Sequence, residues 1–265
     1  MHPLVNIGVR AAREAGKVIS RSFGRSEALN VTSKASNDFV SEVDRNAEQA
    51  IIRAIRKAYP DHAILAEESG HQPGSEYEWI IDPLDGTTNF LHGFPQCAVS
   101  IAVRWRGQLE AAVVLDPLRD ELFTAVRGQG AQLDGRRLRV AQRKGLQGAL
   151  LATGFPFKAQ HHLDAYLDSF RALFLKVADI RRPGSAALDL AWLAAGRIDG
   201  FWEIGLSPWD TAAGALLIRE AGGVVSDFSG GDAFLETGNV VAGHLKVHAE
   251  IIETIAPYLG DALKR

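Results

Sequence analysis

The stretch Trp79–Phe90, "WIIDPLDGTTNF", decides how the rest of the chain is read. Trp79, Ile80 and Ile81 form the short apolar run of a buried strand, and Pro83 with the Asp85-Gly86 pair marks a turn directly behind it. Two carboxylates, Asp82 and Asp85, therefore stand where a buried strand ends. A turn across the Pro83-Leu84 step can aim both of them, together with the Leu84 carbonyl, at one point. Oxygen donors of this kind suit Mg²⁺, a hard cation that His and Cys serve poorly. An isolated Asp-Gly pair is more often a plain capping turn, but here Thr87 and Thr88 follow. A helix opening at that point would offer free backbone N–H groups and hydroxyls as an anion site beside the carboxylates. Metal ligands next to anion donors point to phosphate chemistry.

Two more acidic positions follow the same pattern. Glu67 and Glu68 in "ILAEES" come after a short apolar run, and Asp210 in "SPWD" sits at the mouth of a helix, so three carboxylate sites at element ends can converge. The aspartyl-phosphate pattern D-x-D-G-T places one residue between its aspartates; here there are two, and the covalent mechanism loses its spacing. The eight histidines show no H-x-x-H or H-E-x-x-H arrangement, which argues against zinc. "GQGA" at 128–131 and "SGG" at 229–231 lack phosphate-loop or dinucleotide spacing and read as turns.

The 265 residues are 46% hydrophobic and 23% charged, enough to bury roughly 70–75% of the unfolded surface. A net charge of -3 gives no nucleic-acid footprint over the whole surface, leaving only a local basic patch open. Cys97 is the single cysteine, which excludes an intramolecular disulfide and suits a reducing compartment. The first residues carry charges among their apolar positions, and no stretch reaches the ~18 apolar residues of a membrane span. The expectation is a cytoplasmic protein with no membrane association.

Helical periodicity covers residues 3–23 and 40–59. Short β-rich segments follow at 64–65, 79–81, 98–105, 109–115 and 121–126, with Arg106-Gly107 marking a hairpin, so a meander is expected there. Past Gly145 the elements alternate: strand 149–153, helices near 162–177 and at 185–195, strand 199–202, helix 209–221, strands 224–226 and 239–242, and a last helix. No linker or repeat separates the halves, so 1–145 and 146–265 are expected to pack as one compact α/β unit.

"WIIDPLDGTTNFLHGFP" and "WDTAAGALLIREAGG" resemble the paired signatures of the inositol monophosphatase family, and "GSAALDLAWLAAGRIDGFWEIGLSPWD" with the "DALKR" end resembles its bacterial SuhB type. The resemblance runs from "SNDFVSEVD" to the last residue. It implies the layered αβαβα sandwich of the inositol monophosphatase and fructose-1,6-bisphosphatase superfamily, an α/β (α+β) fold, as a homodimer. It also implies Mg²⁺-dependent, lithium-sensitive hydrolysis of a polyol phosphate without a phosphoenzyme. Glu67, Asp82 and the Leu84 carbonyl resemble the ligands of a first metal, and Asp82, Asp85 and Asp210 those of a second. Asp44 in "SEVD" resembles the acid that bonds Thr87, the two helping to position the attacking water. Gly86 and Thr87 resemble the phosphate N–H donors. Gly184, Ser185 and Ala186 resemble the residues near the ring, and Glu203 the acceptor of ring hydroxyls. Lys34 resembles the family's active-site lysine.

Without the resemblance, Asp44 and Lys34 read as a solvated helix start and loop, Glu203 as a strand residue facing water, and Trp202 and Trp209 as core. Within enzymes the alternatives are phosphatases of fructose 1,6-bisphosphate, 3'-phosphoadenosine 5'-phosphate or histidinol phosphate, and Glu203 favours a neutral polyol over a second phosphate. From another class, the SuhB type implies a transcription antitermination factor for ribosomal RNA synthesis, with Nus-type factors and RNA polymerase as partners and Arg181 and Arg182 as the exposed contact groups.

Overall fold

The computed structural model describes residues 2–24, 31–35 and 38–263, with side chains described outside 31–40. Two helices open the chain, α1 (Pro3–Ser22) and α2 (Glu42–Ala58). Pro3 starts α1 with its φ already helical, and Leu4, Ala11, Ala15 and Ile19 form its buried stripe. A capping box starts α2: Ser41 and Asp44 each satisfy the other's backbone N–H. Between these helices β1 (Val31–Ala35) and β2 (Asp38–Ser41) pair antiparallel.

An eight-stranded sheet follows, built from β3 (Ala63–Ala66), β4 (Gly70–Gln72), β5 (Tyr77–Asp85), β6 (Ala98–Trp105), β7 (Gln108–Asp116), β8 (Glu121–Val126), β9 (Gly130–Leu133) and β10 (Arg136–Arg137) in the order β10-β9-β8-β7-β6-β5-β3-β4. The expected meander holds from β5 onward, and Arg106 (φ 48°) with Gly107 (φ 81°) forms its first tight turn. It does not extend to β3, which pairs parallel to β5 and makes the sheet mixed. "GQGA" is only half a turn: Gly130 and Ala131 already belong to β9, a short strand that pairs through its backbone with both β8 and β10. α3 (Thr87–Leu91) interrupts the path from β5 to β6.

The second sheet holds β11 (Leu150–Thr153), β12 (Asp179–Arg181), β13 (Gly200–Glu203), β14 (Val224–Ser226) and β15 (Val240–Gly243), ordered β12-β11-β13-β15-β14, with β11 parallel to both neighbours. Its helices are α4 (Leu163–Phe174), α5 (Ala186–Ala194), α6 (Pro208–Glu220), α7 (Phe234–Thr237) and α8 (Leu245–Ile255). α4 ends at Phe174, before the expected 177, and the exposed β12 carries no periodic signal that would have shown it.

The layers follow from which faces are apolar. On β6, Val99, Ile101 and Val103 pack with α1 and α2, while Ala98 and Ala102 join the cluster around α5 and α6. α5 and α6 are buried almost all round, which only a helix between two sheets can satisfy. On the far face of the second sheet, Trp202 and Val241 pack with Tyr166, Leu173, Val247 and Ile251 of α4 and α8. The result is the expected αβαβα sandwich. The end of β5, the openings of α5 and α6 and the end of β13 meet around one cavity.

Candidate active site

The pairing of β5 with β6 slips between Asp82 and Asp85, and this irregularity places the carboxylates of one strand end around a common space. Asp82 is buried, and its Oδ1 accepts the Leu84 N–H at 2.9 Å. Asp85 Oδ2 accepts the Ser185 hydroxyl at 2.6 Å and the Ala187 N–H at 2.8 Å, so the opening of α5 holds it. Asp210 sits at the third position of α6, where its Oδ2 accepts the Ser207 N–H at 2.7 Å in a second capping box. Ligand atoms of Asp82, Asp85 and Asp210 all lie within 4.8 Å of one another.

Such crowding has an electrostatic cost. Burial, followed by repulsion from Glu67, Asp85 and Asp210, holds the Asp82 carboxyl well above the usual range. Burial and Asp210 push Asp85 up to about 7, even though Ser185, Ala187 and Lys158 act in the other direction. Glu67, just past β3, lines the same cavity. The Leu84 carbonyl accepts the Thr87 hydroxyl at 3.1 Å.

Thr87 also donates to Asp44 Oδ1 at 2.8 Å, a link across 43 residues. Asp44 is 1% exposed and not on a solvated helix start; its other oxygen takes the Ser41 N–H at 2.8 Å and the Ser41 hydroxyl. Burial raises the Asp44 carboxyl in spite of these donors. Gly86 caps α3 at φ 92°, a left-handed conformation that favours glycine, and a Cβ there would stand 2.8 Å from the Gln96 carbonyl oxygen.

Gly184, Ser185, Ala186 and Glu203 also line the cavity, which measures about 500 Å³. The Ser185 hydroxyl is spent on Asp85. Glu203 does not face bulk water: burial, with Asp210 and Asp85 nearby, pushes its carboxyl up to about 8. Arg181 and Arg182 part company. Arg181 pairs with Asp179 at 2.5 Å on the surface, whereas the Arg182 guanidinium packs 5.2 and 5.1 Å from the rings of Phe155 and Phe157 and lines the cavity. Trp202 is core on the α4–α8 side of the second sheet, and Trp209 is partly buried against the separate cluster around α5 and α6. The Lys34 side chain lies outside the described residues.

Asn89, Gly154 and Asp189 are among the cavity residues that escaped the sequence reading. Asn89 Nδ2 lies 2.9 Å from Gln96 O, 2.9 Å from Pro183 O and 3.1 Å from Gly184 O, and ties α3 to the lead-in of α5. Gly154 presses against Glu203, whose Oε1 occupies the place a Cβ would need. Asp189 borders the cavity from α5. Asn89 and Asp189 stand inside quoted motifs, Asp189 in a run that reads as core, and Gly154 follows an apolar run outside them.

The profile of the inositol monophosphatase family matches residues 1–259. The chain belongs to the inositol monophosphatase family. It is 58% identical to the Nus factor SuhB of Pseudomonas aeruginosa over the whole of both chains. The crystal structure of the extragenic suppressor protein suhB from Bartonella henselae superposes with a TM-score of 0.93 at 44% identity, covering 96% of this chain and 98% of that one. The inositol monophosphatase from Anabaena gives a TM-score of 0.86 at 36% identity, covering 96% and 95%. Inositol monophosphatases are metal-dependent phosphatases, and the acidic cluster fits that requirement: three convergent carboxylates, raised by burial and by one another, are an all-oxygen donor set that a hard divalent cation would neutralise. Among the described residues no helix is long and apolar enough to cross a membrane.

Proposed function

We propose that the chain is a Mg²⁺-dependent phosphatase that hydrolyses inositol monophosphate to inositol and phosphate. The convergence of Asp82, Asp85 and Asp210 within 4.8 Å, beside the Asp44–Thr87 pair, carries this reading. Glu67, Asp82, Leu84 through its carbonyl, Asp85 and Asp210 would hold the metal. When bound, Mg²⁺ supplies positive charge to the phosphate oxygens and lowers the pKa of water.

The chain's own groups do the rest. The single Thr87 proton goes to Asp44, the nearer of its two acceptors, which leaves the Thr87 oxygen free to accept a hydrogen bond from water and orient it toward phosphorus. The Gly86 and Thr87 N–H groups receive the phosphate. Gly184 and Ala186 shape the ring side, Ser185 keeps Asp85 in place, and Glu203 accepts a ring hydroxyl. Phosphate release from inositol 1-phosphate that requires Mg²⁺ and is inhibited by Li⁺ is the expected result. No release from any polyol phosphate would end the reading.

A second reading is favoured by one observation, the 58% identity to a protein named Nus factor SuhB. On it the chain also acts in the cytoplasm as a dimeric antitermination factor for ribosomal RNA synthesis, with Nus-type factors and RNA polymerase as partners. Catalysis and partner binding then separate. Asp82→Asn should restore ribosomal RNA synthesis in a deletion strain, and a folded, partner-binding Asp82→Asn protein that failed to do so would leave phosphatase chemistry as the cellular role.

A further inference from the structure

Asp189 is an acid for which the fold has no use. It stands at the fourth residue of α5, beyond the reach of a cap, and its backbone N–H already donates to the Ser185 carbonyl at 3.0 Å. The side chain is 1% exposed, and its Oδ1 has no hydrogen-bond partner. Aspartate is a poor residue for a helix interior, and a buried carboxyl oxygen without a partner costs stability. The charges acting on it include Glu203 and Asp85, both repulsive, against the attraction of Arg182. Yet the residue borders the active-site cavity that Glu203 also lines. A hydroxyl entering that cavity would supply the partner the fold withholds.

We infer that Asp189 is a specificity-determining residue that, with Glu203, forms a two-carboxyl subsite reading neighbouring hydroxyl groups of the substrate. The inference rests on the phosphatase reading and narrows it: the preferred substrates are phosphate monoesters of polyols with adjacent hydroxyls, and a second phosphate is repelled from the subsite. Simple aryl esters such as p-nitrophenyl phosphate offer no hydroxyl to read.

The test compares kcat/KM for myo-inositol 1-phosphate with that for p-nitrophenyl phosphate in the wild type, Asp189→Leu and Asp189→Asn, with Tm measured for each. Asp189→Leu should lower the ratio of the two at least about tenfold. Its Tm should be equal or higher, since a buried orphan is removed. Asp189→Asn, which keeps a hydrogen-bonding head, should recover part of the ratio. A ratio unchanged within about twofold, or equal losses on both esters with a lowered Tm, would overturn the assignment in favour of a purely structural role. If the wild type releases phosphate from neither ester, the phosphatase reading falls, and calorimetric titration of myo-inositol 1-phosphate into the Mg²⁺-loaded protein decides the subsite separately. Binding weakened about tenfold in Asp189→Leu upholds it; equal binding, or none to the wild type, overturns it.

Discussion

Asp82 is repelled by three other carboxylates, Glu67, Asp85 and Asp210. It is buried, close to Asp85 and Asp210, and raised by Glu67 as well, so the Asp82→Asn change removes both a donor and a repulsive charge. Phosphatase activity should drop by more than roughly 10³-fold while Tm stays level or rises; a variant retaining a tenth of the activity would remove Asp82 from the machinery. Gly154 gives a subtler case. Any side chain there collides with Glu203, so Gly154→Ala should displace that carboxylate and raise KM for inositol phosphate about tenfold with little change in Mg²⁺ dependence. If KM holds, Glu203 does not touch the ring. At this scale the sequence was legible where the chemistry needs unusual residues in a row, as in Asp82-Pro83-Leu84-Asp85-Gly86. It was silent on Gly154 and Asp189, ordinary residues in or beside apolar runs whose place beside the cavity comes only from what the fold sets next to them.

Helix openings rather than loops fix the site. Asp85 is held by α5, Asp210 lies in the capping box of α6, and Asp44 in that of α2, so three of the acids are positioned by helix starts. Two of these starts were readable as Ser-x-x-Asp patterns, "SEVD" and "SPWD", the α5 start was not, and the long helices and central strands were readable from their period. β9, β10 and β12 were not, since strands of two to four residues near a sheet edge pair through backbone with little side-chain pattern. The parallel pairing of β3 with β5 depends on a crossover that local periodicity does not encode. Asn89 joins these elements across 94 and 95 residues of sequence. Asn89→Leu would leave the carbonyls of Gln96, Pro183 and Gly184 without this donor, at a cost of about 1–3 kcal/mol in urea unfolding. It should also loosen Ser185 from Asp85 and lower kcat. A variant as stable and as active as wild type would show that the tether is dispensable.

Across the whole molecule, the sandwich forces a cluster of acids into the space between its layers, and this links stability to pH. Asp85 is pushed from 3.8 up to about 7 and Glu203 from 4.5 up to about 8, with Asp82 raised as well. Between roughly pH 4 and pH 8 the metal-free folded protein therefore keeps protons that the unfolded chain has already released. Stability is lost as pH rises through that window, the reverse of the usual carboxylate case. His248 works the other way: burial lowers its pKa, so its contribution is lost as pH falls below about 6.5. Comparing Mg²⁺ with chelator at each pH cancels the His248 contribution. A divalent cation needs the acids deprotonated, so its binding releases protons and strengthens as pH rises. At a concentration of 100 Kd it adds about 2.7 kcal/mol to the folded state. The Tm of chelated protein should fall from pH 5.5 to pH 8, and the increment restored by Mg²⁺ should grow over the same range and shrink in Asp82→Asn. A Mg²⁺ increment independent of pH, together with a flat chelated profile, would mean that these carboxyls are not the groups that meet the metal.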